Sequence, residues 1–342
     1  MSRRPTVRLL RQGTPFLDLF SMGRAGPSGG FTRAQIEQIQ RTVRRVPEVM
    51  LKVTGGGTRV GAVAAHLQYI SRKGELTIET SEGDRVTDRE AQKALLKNWH
   101  LELISGQYRP MGMHGLKSRR IKLVHNIVLS MPSPTPPDKV LAAARKFARE
   151  QFASKHRFAL VLHTDQQHPH VHMVVKAEDE HGQRLRIDKE TLRRWREDFA
   201  RNMREQGIAA NATPRYVRGQ NKGKTRDGIY RAGQRGSSTA IRQRVIDVAG
   251  QLRAACSFHD PARAKLLETR KTITEGWLDI AGTLDAQGEA SLANEVRHFA
   301  RHLPRVLTDK ERVAVAFVQH LANMRPASPS EIARDKGGEF TR

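Results

Sequence analysis

The chain has 342 residues, 38% of them hydrophobic, and carries a formal net charge of +25 from 60 Lys and Arg against 35 Asp and Glu. A single cysteine, Cys256, excludes an intrachain disulfide framework and a cysteine-rich zinc module, and no apolar run approaches the roughly 18 residues of a membrane-spanning helix. Charge this far from zero points to a polyanionic partner, and nucleic acid ranks above a membrane surface because no basic amphipathic helix with an aromatic face is evident.

Residues 1–46 hold nine Arg and two acids among several Gly and Pro, which reads as a basic N-terminal extension, partly mobile, with a short helix over Thr32 to Arg45. It lacks the apolar run of a secretory signal, so a reducing cytoplasm is the expected compartment. From Glu48 the texture changes. EVMLKV reads as a strand, TGGGTR as a turn, and VGAVAAHLQYIS as a helix with Val60, Val63, Ala64 and Leu67 on one stripe. ELTIE follows as a short strand, then a helix from Asp88 to Ile104. Residues 109–122 form a basic loop with five Lys and Arg and no acid. IKLVHNIVLSM reads as a long strand ended by PSPTPP, Asp138 to Phe152 as a helix, and RFALVLH and HPHVHMVVKAE as two strands in a hairpin. A helix over Ile187 to Gln206 stops at Gly207. Residues 215–240 form a basic linker, and 241–342 repeat a helical pattern. This mixture predicts an α+β fold with a central antiparallel sheet over residues 47–214, followed by the linker and a helical C-terminal region.

Four of the fourteen histidines fall within ten residues, as His163, His168, His170 and His172. In an extended segment side chains alternate faces, so His168, His170 and His172 share one face and Val171, Met173 and Val175 the other. An antiparallel partner would bring His163 beside His170 and His172. Three converging imidazoles with open positions make a catalytic divalent-metal site, and Asp165 could orient one of the rings. His125, mid-strand in KLVHNIVLSM, suits a core histidine and an active-site role equally.

Tyrosine is scarce, and Tyr69, Tyr108, Tyr216 and Tyr230 are all of it. On a helical wheel the apolar stripe of VGAVAAHLQYIS spans about 100°, and Tyr69 lies nearly opposite. Its hydroxyl should face away from the local core, with Arg72 and Lys73 within a turn of it. Such cations suit a phosphate and favour a phenolate, and a tyrosine oxygen can attack a phosphodiester.

LQYISRKGEL, then LVHNIVLSMP, then HTDQQHPHVHMVV resembles, in motif order, the relaxase/mobilisation nuclease family of the HUH endonuclease superfamily. The nearest likeness is to the group of T-DNA border endonucleases and P-type conjugative relaxases. QGIAANATPRYVRG resembles the end of the relaxase domain, so the likeness covers residues 48 to 220. It implies an HUH-endonuclease-like sandwich, with Tyr69 as nucleophile and His170 and His172 as the histidine–hydrophobic–histidine metal pair. It also implies His163 as the upstream histidine that completes the site and Asp165 as an acid working near the tyrosine or histidines. His125 matches a strand histidine of close relatives, and His168 is either structural or a ligand. Gln167 stands where close relatives often have an acid, which leaves the general base open.

The implied activity is nicking of one DNA strand at an origin of transfer with Mg²⁺ or Mn²⁺, giving a 5′-phosphotyrosyl strand exported by type IV secretion. The implied partners are single-stranded DNA at the nic site, accessory origin-binding proteins and a secretion coupling protein, with no membrane insertion. DNA contacts are expected from Arg72, Lys73, Lys117, Arg119, Arg120, Arg215, Arg218, Lys222 and Lys224. Rival readings are a rolling-circle replication initiator, a hydrolytic metal nuclease, and a non-catalytic origin-binding relative.

Overall fold

The computed structural model describes residues 30–101, 121–220, 229, 232–233, 235–253 and 260–324. They fall into two compact units that meet in the chain between Thr213 and Pro214.

The first unit begins with helix α1, Arg33–Val43. A capping box starts it: Thr32 accepts from the Gln35 backbone N–H while the Gln35 side chain accepts from that of Thr32. A short helix was expected over Thr32 to Arg45 within the basic N-terminal extension, and this helix packs into the unit. Gln38, Ile39 and Thr42 are buried, and Gln38 donates to Glu197, 159 residues away. Amphipathic periodicity outweighs the arginine content of the segment.

Six strands follow in the sheet order β1-β4-β6-β5-β2-β3, and every pairing is antiparallel. They are β1 Met50–Gly55, β2 Ile78–Thr80, β3 Arg85–Val86, β4 Val124–Ser130, β5 Phe158–His163 and β6 His170–Lys176. The expected α+β architecture with a central antiparallel sheet flanked by helices is the one observed. Two short elements differ from the sequence reading. The strand expected at 75–79 is displaced to Ile78–Thr80, because a left-handed turn occupies Arg72–Gly74, and the two-residue β3 carries too little pattern to be read.

The central strands are buried on both faces. On one face, Leu51, Ile127, Leu129, Leu160, Val171, Met173 and Val175 pack against helices α4 (Pro137–Phe152) and α5 (Lys189–Glu205). Pro137 opens α4, and Val140, Ala143, Ala144, Phe147 and Ala148 then recur at helical spacing to form its buried stripe. Phe147 meets Trp195, Phe152 and Phe199 edge-on at 6.1 to 6.2 Å between ring centroids. On the other face, Val124, Ala159, Val161 and Val174 are covered by helices α2 (Val60–Ile70) and α3 (Arg89–Asn98) through Val63, Leu67, Ile70, Leu95 and Leu96. Gly56, between β1 and α2, passes so close to β4 that a Cβ there would lie 2.1 Å from the Val124 carbonyl oxygen. Only glycine fits this approach.

A buried polar knot closes the unit. Glu48 and Asn211 form a parallel bridge, with Val49 N–H donating to Asn211 O and Asn211 N–H to Pro47 O, both at 2.9 Å. The Asn211 amide also donates to Thr42, Thr213 and Glu48, and the Thr213 backbone donates to the Glu48 carboxylate at 2.7 Å.

The second unit is helical where described: α6 Thr239–Arg253, α7 Pro261–Ala286, α8 Ala290–Arg301 and α9 Asp309–Met324. Trp277 anchors it, fully buried, with its indole N–H donating to Val217 O at 2.8 Å and its ring 5.0 Å from that of Phe299.

Phe147→Ala is expected to cost the first unit about 3 to 5 kcal/mol, since it removes the ring on which three other aromatics converge. Denaturant unfolding followed by tryptophan fluorescence measures this, and a loss below about 1 kcal/mol would show that the cluster does not anchor the core.

Candidate active site

The β5–β6 pairing builds the centre of the site. His163 lies opposite His170 and Val161 opposite His172. Cross-strand partners point to one face, and so do alternate residues of one strand, so three imidazoles meet on the α2 side of the sheet. Ring centroids are 4.5 Å apart for His163 and His172 and 5.1 Å for each of the other pairs. One ring nitrogen from each histidine lies within 4.8 Å of the others.

Backbone carbonyls fix which nitrogens are free. His163 Nε2 lies 2.6 Å from Ile70 O and His170 Nδ1 lies 3.0 Å from His168 O. A carbonyl only accepts, so these two nitrogens carry the protons, leaving His163 Nδ1 and His170 Nε2 with lone pairs for a ligand. His163 is 2% exposed and His170 8%. Burial, then His163, His170, His66 and Arg72, push the His172 pKa down to about 3. Burial also lowers that of His163, against the opposing bond to Ile70 O. Oriented, nitrogen-only donors in a group of three fit a divalent transition-type cation with open positions for a substrate oxygen.

Helix α2 carries Tyr69 beside this trio. Val63, Leu67 and Ile70 bury one side of the helix, and Tyr69, on the far side, is 63% exposed. Its ring is bracketed by its neighbours three residues away. The His66 ring lies 6.4 Å off at an interplanar angle of 24°, and the Arg72 guanidinium carbon lies 5.7 Å from the ring centroid. His66 and Arg72 are also the two groups outside the trio that depress the His172 pKa. The tyrosine is therefore held between two side chains that both reach the field of the histidines.

The backbone after α2 is unusual. Arg72 (φ 52°), Lys73 (φ 61°) and Gly74 (φ 104°) are successive left-handed residues, two of them non-glycine. Buried Ser71 supports the turn by accepting a hydrogen bond from the Gln92 amide at 3.1 Å. The turn aims Arg72 back across the sheet end, where it donates to the Asp165 carboxylate. Asp165 Oδ1 is 3.7 Å from His163 Nδ1. Partial desolvation would raise the Asp165 pKa, but Arg72, a backbone hydrogen bond and His163 together hold it below the usual carboxylate range. Tyr69, Arg72, Asp165 and His163 thus form one connected chain.

The other expected residues divide. His168 does not share a strand face with His170 and His172, because Pro169 precedes the strand and β6 starts at His170. Its Nδ1 accepts from Ser133 N–H at 3.1 Å, and its carbonyl orients His170. His125 pairs with Val175 and so lies on the opposite face of the sheet from the trio. It cannot support the metal ligands, because an odd spacing from Val128, the residue opposite His172, reverses the face. Arg72 is engaged by Asp165, while Lys73 is exposed. Arg215 is exposed and Arg218 half-buried in the second unit. Lys117, Arg119, Arg120, Lys222, Lys224, Tyr108, Tyr230 and Cys256 lie outside the described residues. Sequence reasoning missed His66. Its signal was its position three residues before Tyr69, about 60° round the wheel towards the buried stripe.

The imidazole trio could hold a metal ion, and the helix whose Ile70 carbonyl meets His163 also carries the exposed Tyr69. Residues 69–208 match the family described as relaxase, MobA/VirD2-like, nuclease domain. The chain is 28% identical over 189 residues to the T-DNA border endonuclease VirD2 of Rhizobium radiobacter, covering 51% of this chain and 43% of that one. It is 30% identical over 139 residues to the VirD2 of Agrobacterium fabrum (strain C58 / ATCC 33970), covering 38% and 30%. The chain thus spans less than half the length of these relatives. A solved structure titled "Molecular Basis of Vancomycin Resistance Transfer in Staphylococcus aureus" aligns over 49% of this chain and 99% of its own at 13% identity, with a TM-score of 0.31, too slight a likeness to bear on fold or function.

Two outcomes follow from the site. His170→Ala should weaken Mn²⁺ binding at least about tenfold in calorimetric titration, and unchanged affinity would remove the trio as the metal centre. His125, held neutral by burial and by Lys122, Arg184 and His156, has its pKa lowered to about 4. Between about pH 6.5 and 4 the unfolded chain takes up its proton and the folded chain does not, so stability falls as pH falls through that window. His125→Phe should lose this part of the acid sensitivity, which denaturant midpoints of both proteins at pH 7 and pH 4.5 would reveal.

Proposed function

We propose that this chain nicks one strand of DNA at an origin of transfer, using Tyr69 as nucleophile, as the relaxase of a mobilisable or conjugative element. The observation that carries the reading is the placement of Tyr69 between His66 and Arg72, both within the electrostatic reach of the histidine trio. A nucleophile, a three-imidazole cation site and a guanidinium are what phosphodiester transesterification needs, and the family match covers all three.

In this reading His163, His170 and His172 hold Mg²⁺ or Mn²⁺, which when bound polarises the scissile phosphate. The chain's own residues do the rest. The Tyr69 oxygen forms a bond to phosphorus as the bond from phosphorus to the 3′-oxygen breaks. The phenol proton leaves, and the departing 3′-oxygen gains one. The products are a 5′-phosphotyrosyl strand and a free 3′-hydroxyl, and rejoining reverses the step. Asp165 keeps Arg72 beside Tyr69, and the carbonyls of Ile70 and His168 hold the imidazoles in their ligand-ready tautomers. The net charge of +25 supports a salt-sensitive grip on single-stranded DNA.

The same reading places the work in the bacterial cytoplasm, with accessory origin-binding proteins as partners. A type IV secretion coupling protein then passes on the attached strand. No described helix is long and apolar enough to cross a membrane.

The test is labelled single-stranded origin DNA incubated with the protein and Mn²⁺, then run on a denaturing gel. Label that migrates with the protein, survives SDS and disappears in Tyr69→Phe is expected, with His170→Ala losing cleavage while keeping most binding. Cleavage without an adduct would make the protein a hydrolytic nuclease. Binding without cleavage would make it a non-catalytic relative, and nicking confined to a replication origin would make it a rolling-circle initiator.

A further inference from the structure

Among the described residues, His66 is a further histidine on the α2 side of the sheet that stands outside the trio. It is a half-buried imidazole at the edge of the buried stripe of α2, one turn before Tyr69. Its ring and that of Tyr69 are near-parallel, and it is one of two groups outside the trio that act on His172. Leu67 and Ile70 beside it are fully buried, so its backbone is fixed by the core. Tyr69, by contrast, is exposed and has two freely rotating side-chain bonds apart from what its neighbours restrain.

We propose that His66 is the positioning residue of the nucleophile: its ring is the platform that fixes the Tyr69 phenol on the exposed flank of α2. The inference rests on the reading of Tyr69 as nucleophile and adds the means by which an exposed side chain is kept in an attacking orientation. Arg72 restrains the other side of the ring, but through a flexible side chain whose own position depends on Asp165. His66 is the restraint that belongs to the helix itself. Positioning is worth rate because reaction requires the attacking oxygen at near-contact distance and in line with the leaving group.

The experiment compares the full chain with His66→Ala, which removes the platform, and His66→Phe, which keeps a flat ring and removes the ring nitrogens. Two readouts are used. The first is the single-turnover rate of covalent adduct formation on labelled origin DNA with Mn²⁺. The second is the ¹⁹F resonance of 3-fluorotyrosine placed at position 69, recorded with and without Mg²⁺.

His66→Ala should slow adduct formation about three- to tenfold, the size expected from losing one ring–ring contact, with DNA and Mn²⁺ affinity unchanged. It should also move the ¹⁹F line towards its free-solution position. His66→Phe should restore most of the rate and the line position. Equal rates and equal ¹⁹F lines in wild type and His66→Ala would overturn the proposal. Phe as slow as Ala would overturn it too, and would give the role to a ring nitrogen. If wild type forms no adduct, the nuclease reading fails on that arm alone, and the ¹⁹F comparison still decides whether His66 fixes Tyr69.

Discussion

The register between β5 and β6 is the constraint on which the site depends. With His163 opposite His170 and Val161 opposite His172, the three rings share a face. A slip of one residue would turn His170 and His172 into the aromatic core and bring Val171 and Met173 to the α2 side. The register is enforced from both sides. Val171, Met173 and Val175 are needed by the Phe147–Trp195–Phe199 layer, and Val174 is needed by Leu67 and Ile70 beneath α2. The imidazole trio thus inherits its precision from apolar packing, which is non-directional in itself but leaves only one alternation of faces.

Within that frame the electrostatics are arranged to keep the His163 and His172 imidazoles neutral. Burial disfavours imidazolium, neighbouring histidines and Arg72 add repulsion, and two backbone carbonyls choose the tautomers. One carboxylate, Asp165, offsets the single cation nearest the trio. The outcome is a set of oriented nitrogen donors in a chain with a large positive charge.

Much of this was legible in the sequence. The alternation in HPHVHMVV announces a strand with histidines on one face, and the stripe in VGAVAAHLQYI leaves Tyr69 outside it. What could not be read was whatever depends on exact phase or on non-local pairing. His168 lies one residue before a proline and two before the strand, so alternation was extended too far. His125 fell on the wrong face because the face of one strand is decided by its register with another. The Arg72–Gly74 turn escaped because two of its three left-handed residues are not glycine, and backbone hydrogen bonds to Ser71 together with the Ser71 and Asp165 side chains support it. His66 escaped because a half-buried edge position on a helix has no pattern of its own.

The knot of Glu48, Asn211 and Thr213 has a consequence for how such a unit can be rearranged. It fastens the stretch leading into β1 to the stretch that follows α5, so the strand that opens the sheet and the segment that leaves the unit run side by side. A folding unit whose two portals adjoin behaves as a cassette. Sequence can be spliced in at that doorway, or the cassette moved between host chains, without stretching any element of the sheet. The feature that closes the core is also the one that makes it portable.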